Sequence, residues 1–412
     1  MPFTIEIFRM GYYGGRGARL MQTLGPFTGK EQPVPKVGPR RLRECRWEPA
    51  TELTIPSDWP SGVYLGRLSR IPHDDVLDPW QSYVVFIVRD QRPADILFQC
   101  SDTTWQAYNR WPDFFSLYDD GITTNWSMPT NVDISFDRPY GKYRQIYENP
   151  QSLGSGEFLC WEFPLAFWLE QHGYDVTYCS NSDMLSAERA RKCRTFISIG
   201  HDEYWDLRQY DSVKSLIDGG TNVLFLAGNA VSGITPFRAS SDGRPNRIVH
   251  RAGNYGGPNR ARGGDGEKRV IGPDEGLLMG ARNVRPVNGG GDWIVALPEH
   301  WIFEGTGMKK GDRVRGLVGW EYHGDPADIP GLQVVAEGTA LSGGVRPQHW
   351  TATVYPGPKG NFVFNAATIY WALDLSSPPG QMLPWSHSFR PHGPDPRIQQ
   401  ITHNLLRRKR QA

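Results

Sequence analysis

The chain has 412 residues, more than one hydrophobic core usually accommodates, so two structural units are expected. Its 45 Lys and Arg nearly balance 44 Asp and Glu, which leaves no field to hold nucleic acid or an acidic membrane surface. No apolar run approaches the ~20 residues of a membrane helix, and the start MPFTIEIFRMG lacks the basic head and apolar stretch of a signal peptide, so a cytoplasmic location is the default expectation.

The first segment holds short β-like runs, TIEIFRMG, SGVYLGRL and SYVVFIVRD, divided by stretches rich in Pro, Gly and Arg such as KEQPVPKVGPRR. That pattern predicts a small β-sandwich domain over residues 1–92. From ADILFQCSD onward the pattern changes, and residues 93–412 are assigned to a second domain. In it ILFQC reads as a buried strand, EFLCWEFPLAFWLEQHG as a helix stopping at Gly173, and YDVTYCS as a strand. SAERARKC follows as a helix by propensity, RTFISIG as a strand, YWDLRQYDSVKSLIDGG as a helix with a Gly exit, and TNVLFLAG as a strand. The alternation predicts an α/β fold, a mostly parallel sheet with helices on both faces.

Residues 239–291, crowded with Gly, Arg, Asn and Asp and without periodicity, predict a long loop system that folds over a pocket. Strand-like runs return in DWIVALP, GLVGWEYHG, LQVVAEG, HWTATVYPG and NFVFNAATIYWALDL, and RIQQITHNLLRRKRQA predicts an amphipathic helix with a basic end. Cys45, Cys100, Cys160, Cys179 and Cys193 are scattered without a CxxC pair and read as reduced, packed thiols.

The chemistry concentrates in RTFISIGHDEYWD, where a buried strand runs through Gly200 into His201, Asp202 and Glu203 at the edge where open α/β sheets bind ligands. No Cys or Ser occupies that elbow, so a carboxylate and an imidazole favour metal binding and proton transfer over an acyl-enzyme. Taken alone, the same three residues also fit a plain helix start whose acids complement the dipole. SDTTWQAYNRWPDFFSLY places Tyr108 after the strand ILFQC, and NVDISFDRPYGKY places Tyr140 beyond another; each ring alone also fits core packing.

TWQAYN, SFDRPY, GHDEYW, the AGN of the next strand, GTGM with LVGWE, and VFNAATIYW occur in the order seen in the N,N-dimethylformamidase large-subunit family, and IFRMGYYGGRGAR and SGVYL add to the resemblance. The resemblance implies a sheet domain similar to a class I glutamine amidotransferase without its cysteine, and a mononuclear iron(III) held by two tyrosines and a glutamate. Carried over by position, the ligands are Tyr108, Tyr140 and Glu203, with Tyr143 as the fallback for Tyr140. His201 would orient or deprotonate water, Asn229 would bind the substrate oxygen, and Glu321 would hold the leaving amine. The implied activity is hydrolysis of the C–N bond of a small N-substituted amide, with zinc or manganese as alternative ions. A non-catalytic binding or scaffold protein is the alternative from another class, because AVSGITPF after Asn229 departs from the family's aromatic and arginine there. Homo-oligomerisation and a small-subunit partner stay open.

Overall fold

The computed structural model describes residues 1–71, 81–123, 131–141, 154–256, 270–284, 289–343, 345–383 and 393–408. Four strands, Pro2–Met10, Ala18–Thr28, Gly62–Arg70 and Gln81–Val88, form one antiparallel sheet with Pro2–Met10 and Gly62–Arg70 in the middle. The strand Gly62–Arg70 opens on five buried residues because its first half lies on the main core, where Val63 joins Ile96, Phe98 and Trp168. The segment expected as an N-terminal sandwich contributes one four-stranded sheet, with Val63 on the main core.

The main sheet has nine strands. From edge to edge they are Arg313–Trp320, Gly289–Ile294, Gln333–Ser342, Arg346–Pro356, Phe362–Asn365, Asn222–Ala227, Cys193–Gly200, Ala94–Gln99 and Val176–Cys179. The last five run parallel to one another, and the first four join them antiparallel. Side chains along the parallel strands alternate between two cores, as the twofold period of a strand requires. Phe98, Ile197 and Leu224 face one core, and Leu97, Phe196 and Val223 face the other.

This overturns the expected α/β fold with a mostly parallel sheet. The chain is 36% strand and 21% helix, and its sheets are mixed or antiparallel. Two local causes thin the helices. SAERARKC forms only the single turn Ala190–Lys192, with the Arg189 guanidinium drawn off to Thr177 Oγ1 and the Tyr178 carbonyl. EFLCWEFPLAF divides into a widened turn, Phe158–Glu162, and a helix, Phe163–Gln171, whose first turn contains Pro164 and so lacks one N–H for the preceding carbonyls. Among the described residues no helix is long and apolar enough to cross a membrane.

Candidate metal centre

The central strand Cys193–Gly200 ends at Gly200, whose φ of +68° lies in the left-handed region. A Cβ at Gly200 would stand 2.6 Å from Trp161 Cβ, so glycine alone lets the chain turn here. His201, Asp202 and Glu203 form the turn, followed by the two-residue strand Tyr204–Trp205 and the helix Leu207–Gly219. Asp206 caps that helix by accepting from Arg208 N, and Gly220 ends it in a left-handed conformation.

Asp202 belongs to the frame and not to the chemistry. It accepts from Gln99 Nε2 at 2.5 Å, Ser198 Oγ at 2.8 Å and Asn181 Nδ2 at 3.0 Å, all buried. The helix Asp102–Tyr108 is fastened to the same turn by two threonines. Thr104 Oγ1 accepts from Glu203 N at 3.0 Å, and Thr103 Oγ1 donates to the Tyr204 carbonyl at 2.6 Å. That attachment brings Tyr108, the last residue of the helix, onto Glu203.

Tyr108 Oη donates to Glu203 Oε2 at 2.5 Å, and Tyr118 Oη lies 3.3 Å from Glu203 Oε1 and 3.1 Å from Tyr108 Oη. The Tyr204 hydroxyl meets that of Tyr118. On the other side, His201 Nε2 is 2.7 Å from Glu321 Oε2 and 3.3 Å from Glu203 Oε2, while His201 Nδ1 is 3.5 Å from Glu157 Oε2. The imidazole approaches to Glu321 and Glu157 are ion-pair contacts without hydrogen-bond alignment. Both His201 nitrogens, both Glu157 oxygens and Glu321 Oε2 are withdrawn from water with no aligned partner among the described residues. His201, Glu203 and Glu321 offer donor atoms within 4.8 Å of one another, a buried group that could hold a metal ion.

Burial works against charge at every one of these groups, and their mutual fields decide the outcome. Burial disfavours the His201 imidazolium, but Glu321, Glu157 and Glu203 outweigh it and raise its pKa well above the usual value. Burial likewise pushes the Glu203 carboxyl up, yet His201 and the Tyr108 hydroxyl bring it below the ordinary carboxylate range. Tyr108 is pushed far up by burial and by Glu203 beside it. A cation at this point would reverse the directions for the phenol and the imidazole.

The remaining expected residues fall as follows. Glu321 is 2% exposed, and its backbone lies so close to Gly228 that a Cβ there would run into the Glu321 carbonyl. Asn229 follows Gly228 with a φ of +49°, a conformation Asn tolerates better than most residues, and is 5% exposed. The next amide, Ala230 N, donates to His323 Nε2 at 3.1 Å, which fixes the turn. Tyr140 has a different setting from Tyr108 and Glu203. Burial and the nearby Asp102 push its pKa up, and it lines a cavity of about 270 Å³ with Asp102, Trp105, Phe136 and Asp183. Tyr143 lies outside the described residues.

Tyr118, Tyr204 and Glu157 join the centre without having been singled out in the sequence. Tyr118 and Tyr204 stood inside the motifs already marked, ten residues after Tyr108 and one after Glu203. Glu157 carried no signal, since it opens a run that reads as an apolar helix.

The sequence pattern of the protein family described as "N,N-dimethylformamidase beta subunit-like, C-terminal" matches residues 4–384. No curated protein matches the chain.

Proposed function

The chain belongs to the N,N-dimethylformamidase beta subunit-like family, and from that premise we propose that it hydrolyses the C–N bond of a small N-substituted amide with a metal ion held at Glu203. The observation that carries this reading is the meeting of Glu203 with two phenols on one side and with His201 and Glu321 on the other, all buried. Buried acids and an imidazole that approach without satisfying one another fit a bridging cation better than a packed polar core.

The donors fit the ion. Carboxylate and phenolate oxygens suit a small, hard cation such as iron(III), and the residues that would hold it are Glu203 and Tyr108, with Tyr118 as the second phenol by proximity. Tyr140, expected from the resemblance, lines the separate cavity with Asp102 and Trp105, which supports Tyr118 in its place. The bound ion would supply a Lewis acid for the amide carbonyl and lower the pKa of water.

His201 stands between Glu203, Glu321 and Glu157, and with a cation bound to offset those carboxylates its neutral imidazole would take a proton from water and pass it on. Glu321 stabilises the charged imidazole and relays the proton to the departing nitrogen. Asn229, in the neighbouring turn, is the proposed donor to the substrate oxygen as negative charge grows on it. The balance is plain: water adds its oxygen to the acyl carbon, the C–N bond breaks, and the amine leaves with the proton while the acid keeps the oxygen. The family's description is of a beta subunit, which supports a partner subunit as part of the active assembly.

Zinc or manganese is the second reading, favoured by the His201, Glu203 and Glu321 trio, which mixes imidazole with carboxylates. Elemental analysis of protein purified without added metal, with a visible spectrum and an amine-release assay on N-substituted amides, tests both. Iron with a phenolate charge-transfer band and amine release supports the first, and colourless zinc protein that releases amine supports the second. Metal-free protein that binds amides and cleaves none returns the chain to the scaffold alternative.

A further inference from the structure

Arg251 lies in the Gly- and Arg-rich segment and reaches toward the centre from the phenol side. Its backbone is clamped: Arg251 N donates to the Val132 carbonyl at 2.8 Å and the Arg251 carbonyl accepts from Asn131 N at 2.7 Å. Just before it, the strand Ile248–His250 pairs antiparallel with Asp133–Ser135, and His250 Nδ1 lies 2.6 Å from Asp133 Oδ1. The residue as a whole is half-buried, so it stands at the margin of the site.

The guanidinium Cζ sits 5.2 Å from the Tyr118 ring centroid. Stacking of that kind uses the face of the guanidinium and leaves its in-plane N–H donors free. Arg251 Nε and Nη1 are withdrawn from water, and among the described residues neither meets an acceptor. Around it stand Glu203 and the phenols of Tyr204, Tyr118 and Tyr108. A fixed, desolvated cation with idle donors beside a hydrolytic centre calls for an anion, because a buried donor left unpaired is costly.

We propose that Arg251 forms a carboxylate-binding subsite next to the metal centre. The inference rests on the hydrolase reading for its two sources of carboxylate: the acid released by cleavage, or a carboxylate carried by the substrate itself. A neutral amide makes no use of a full positive charge, whereas either anion pairs with it through charge-assisted hydrogen bonds.

Calorimetric titration of the protein as purified with sodium formate and with N-formylglycine tests the subsite. Wild type is expected to bind both, Arg251→Met to bind each at least about tenfold more weakly, and Arg251→Lys to fall between, since it keeps the charge and loses the planar donors. Equal affinity in wild type and Arg251→Met, with matching circular dichroism and melting, overturns the proposal, as does wild type that binds neither anion. Preferential cleavage of N-formylglycine over N-methylformamide, lost in Arg251→Met, assigns the subsite to a substrate carboxylate. An unchanged preference with relieved inhibition by formate assigns it to the product. Arg251-dependent formate binding in protein that cleaves no amide leaves this subsite standing and sinks the hydrolase reading; amide cleavage with Arg251-independent binding does the reverse.

Discussion

Glu203 touches both halves of the centre, accepting from Tyr108 while facing His201. Glu203→Gln keeps the size and removes the charge, so a cation loses its nearest anionic oxygen. Amide hydrolysis is expected to fall on the order of 100-fold or more, together with bound metal, as read by elemental analysis and amine release. Full metal content and full rate in this variant would remove Glu203 from the centre. The tyrosines allow a sharper comparison. Tyr118→Phe deletes a hydroxyl 3.3 Å from Glu203, whereas Tyr140→Phe deletes one from a residue that lines the cavity with Asp102 and Trp105. Tyr118→Phe is therefore expected to lower metal content and shift any visible band, and Tyr140→Phe to change neither; the opposite result reinstates Tyr140 as the ligand. At this scale Tyr108 and Glu203 could be marked in the sequence because each follows a buried strand, Tyr108 closing the helix after Ala94–Gln99 and Glu203 in the turn after Cys193–Gly200. The sequence did not show which second tyrosine closes on Glu203, because that depends on the turn where Leu117 N returns to the Ala107 carbonyl. Neither Glu157 nor Arg251 reaches the centre through local sequence; both arrive by tertiary packing.

The element that positions the centre is the turn after Cys193–Gly200. Gly200→Ala must place a Cβ 2.6 Å from Trp161 Cβ in a backbone region that L-residues avoid. The two penalties together amount to about 3 kcal/mol, expected as a lower denaturation midpoint with an unchanged slope. A midpoint within about 0.5 kcal/mol of wild type would show that the turn relaxes around the methyl. Elements whose signals are local were readable in advance. The helix Leu207–Gly219 begins after Asp206 and ends at Gly220 as its caps dictate, and the strands Ala94–Gln99, Cys193–Gly200 and Asn222–Ala227 coincide with the runs ILFQC, RTFISIG and TNVLFLAG. The pairing direction of the later strands was not readable. Gln333–Ser342 and Arg346–Pro356 pair antiparallel and carry the sheet away from the α/β pattern; the three residues between them are too few for a parallel crossover, but the apolar runs LQVVAEG and HWTATVYPG stop short of the true strand ends and hide how short the connection is.

Across the whole molecule, buried titratable groups set how the fold responds to pH. Glu162 is fully buried, its Oε1 accepting from Trp105 Nε1 at 2.8 Å and from Ser101, while Oε2 has no aligned partner among the described residues. Burial pushes its pKa up to about 8, with the Ser101 and Trp105 bonds only partly offsetting that rise. The folded state then holds a proton that the unfolded chain has already released, so the contribution to stability is full below the unfolded value near 4.5 and is lost as pH rises through about 8. At the other limb His403, packed on Trp168 and bonded to Tyr174, has its pKa lowered to about 4 by burial and by Arg407, so stability present above about 6.5 declines as acid protonates the unfolded chain first. Glu162→Gln keeps an acceptor for Ser101 and Trp105 and replaces the ionisable oxygen with a neutral amide. Denaturant unfolding from about pH 6 to 9 should show both proteins losing stability with rising pH, because the buried carboxyls of Asp102 and Asp374 are also pushed up, to about 7 and about 8. The wild type should fall more steeply than Glu162→Gln, the curves separating by several kcal/mol at the alkaline end. Parallel curves would mean that water or a rearranged partner solvates the Glu162 carboxylate, and that the alkaline limb of the fold has another origin.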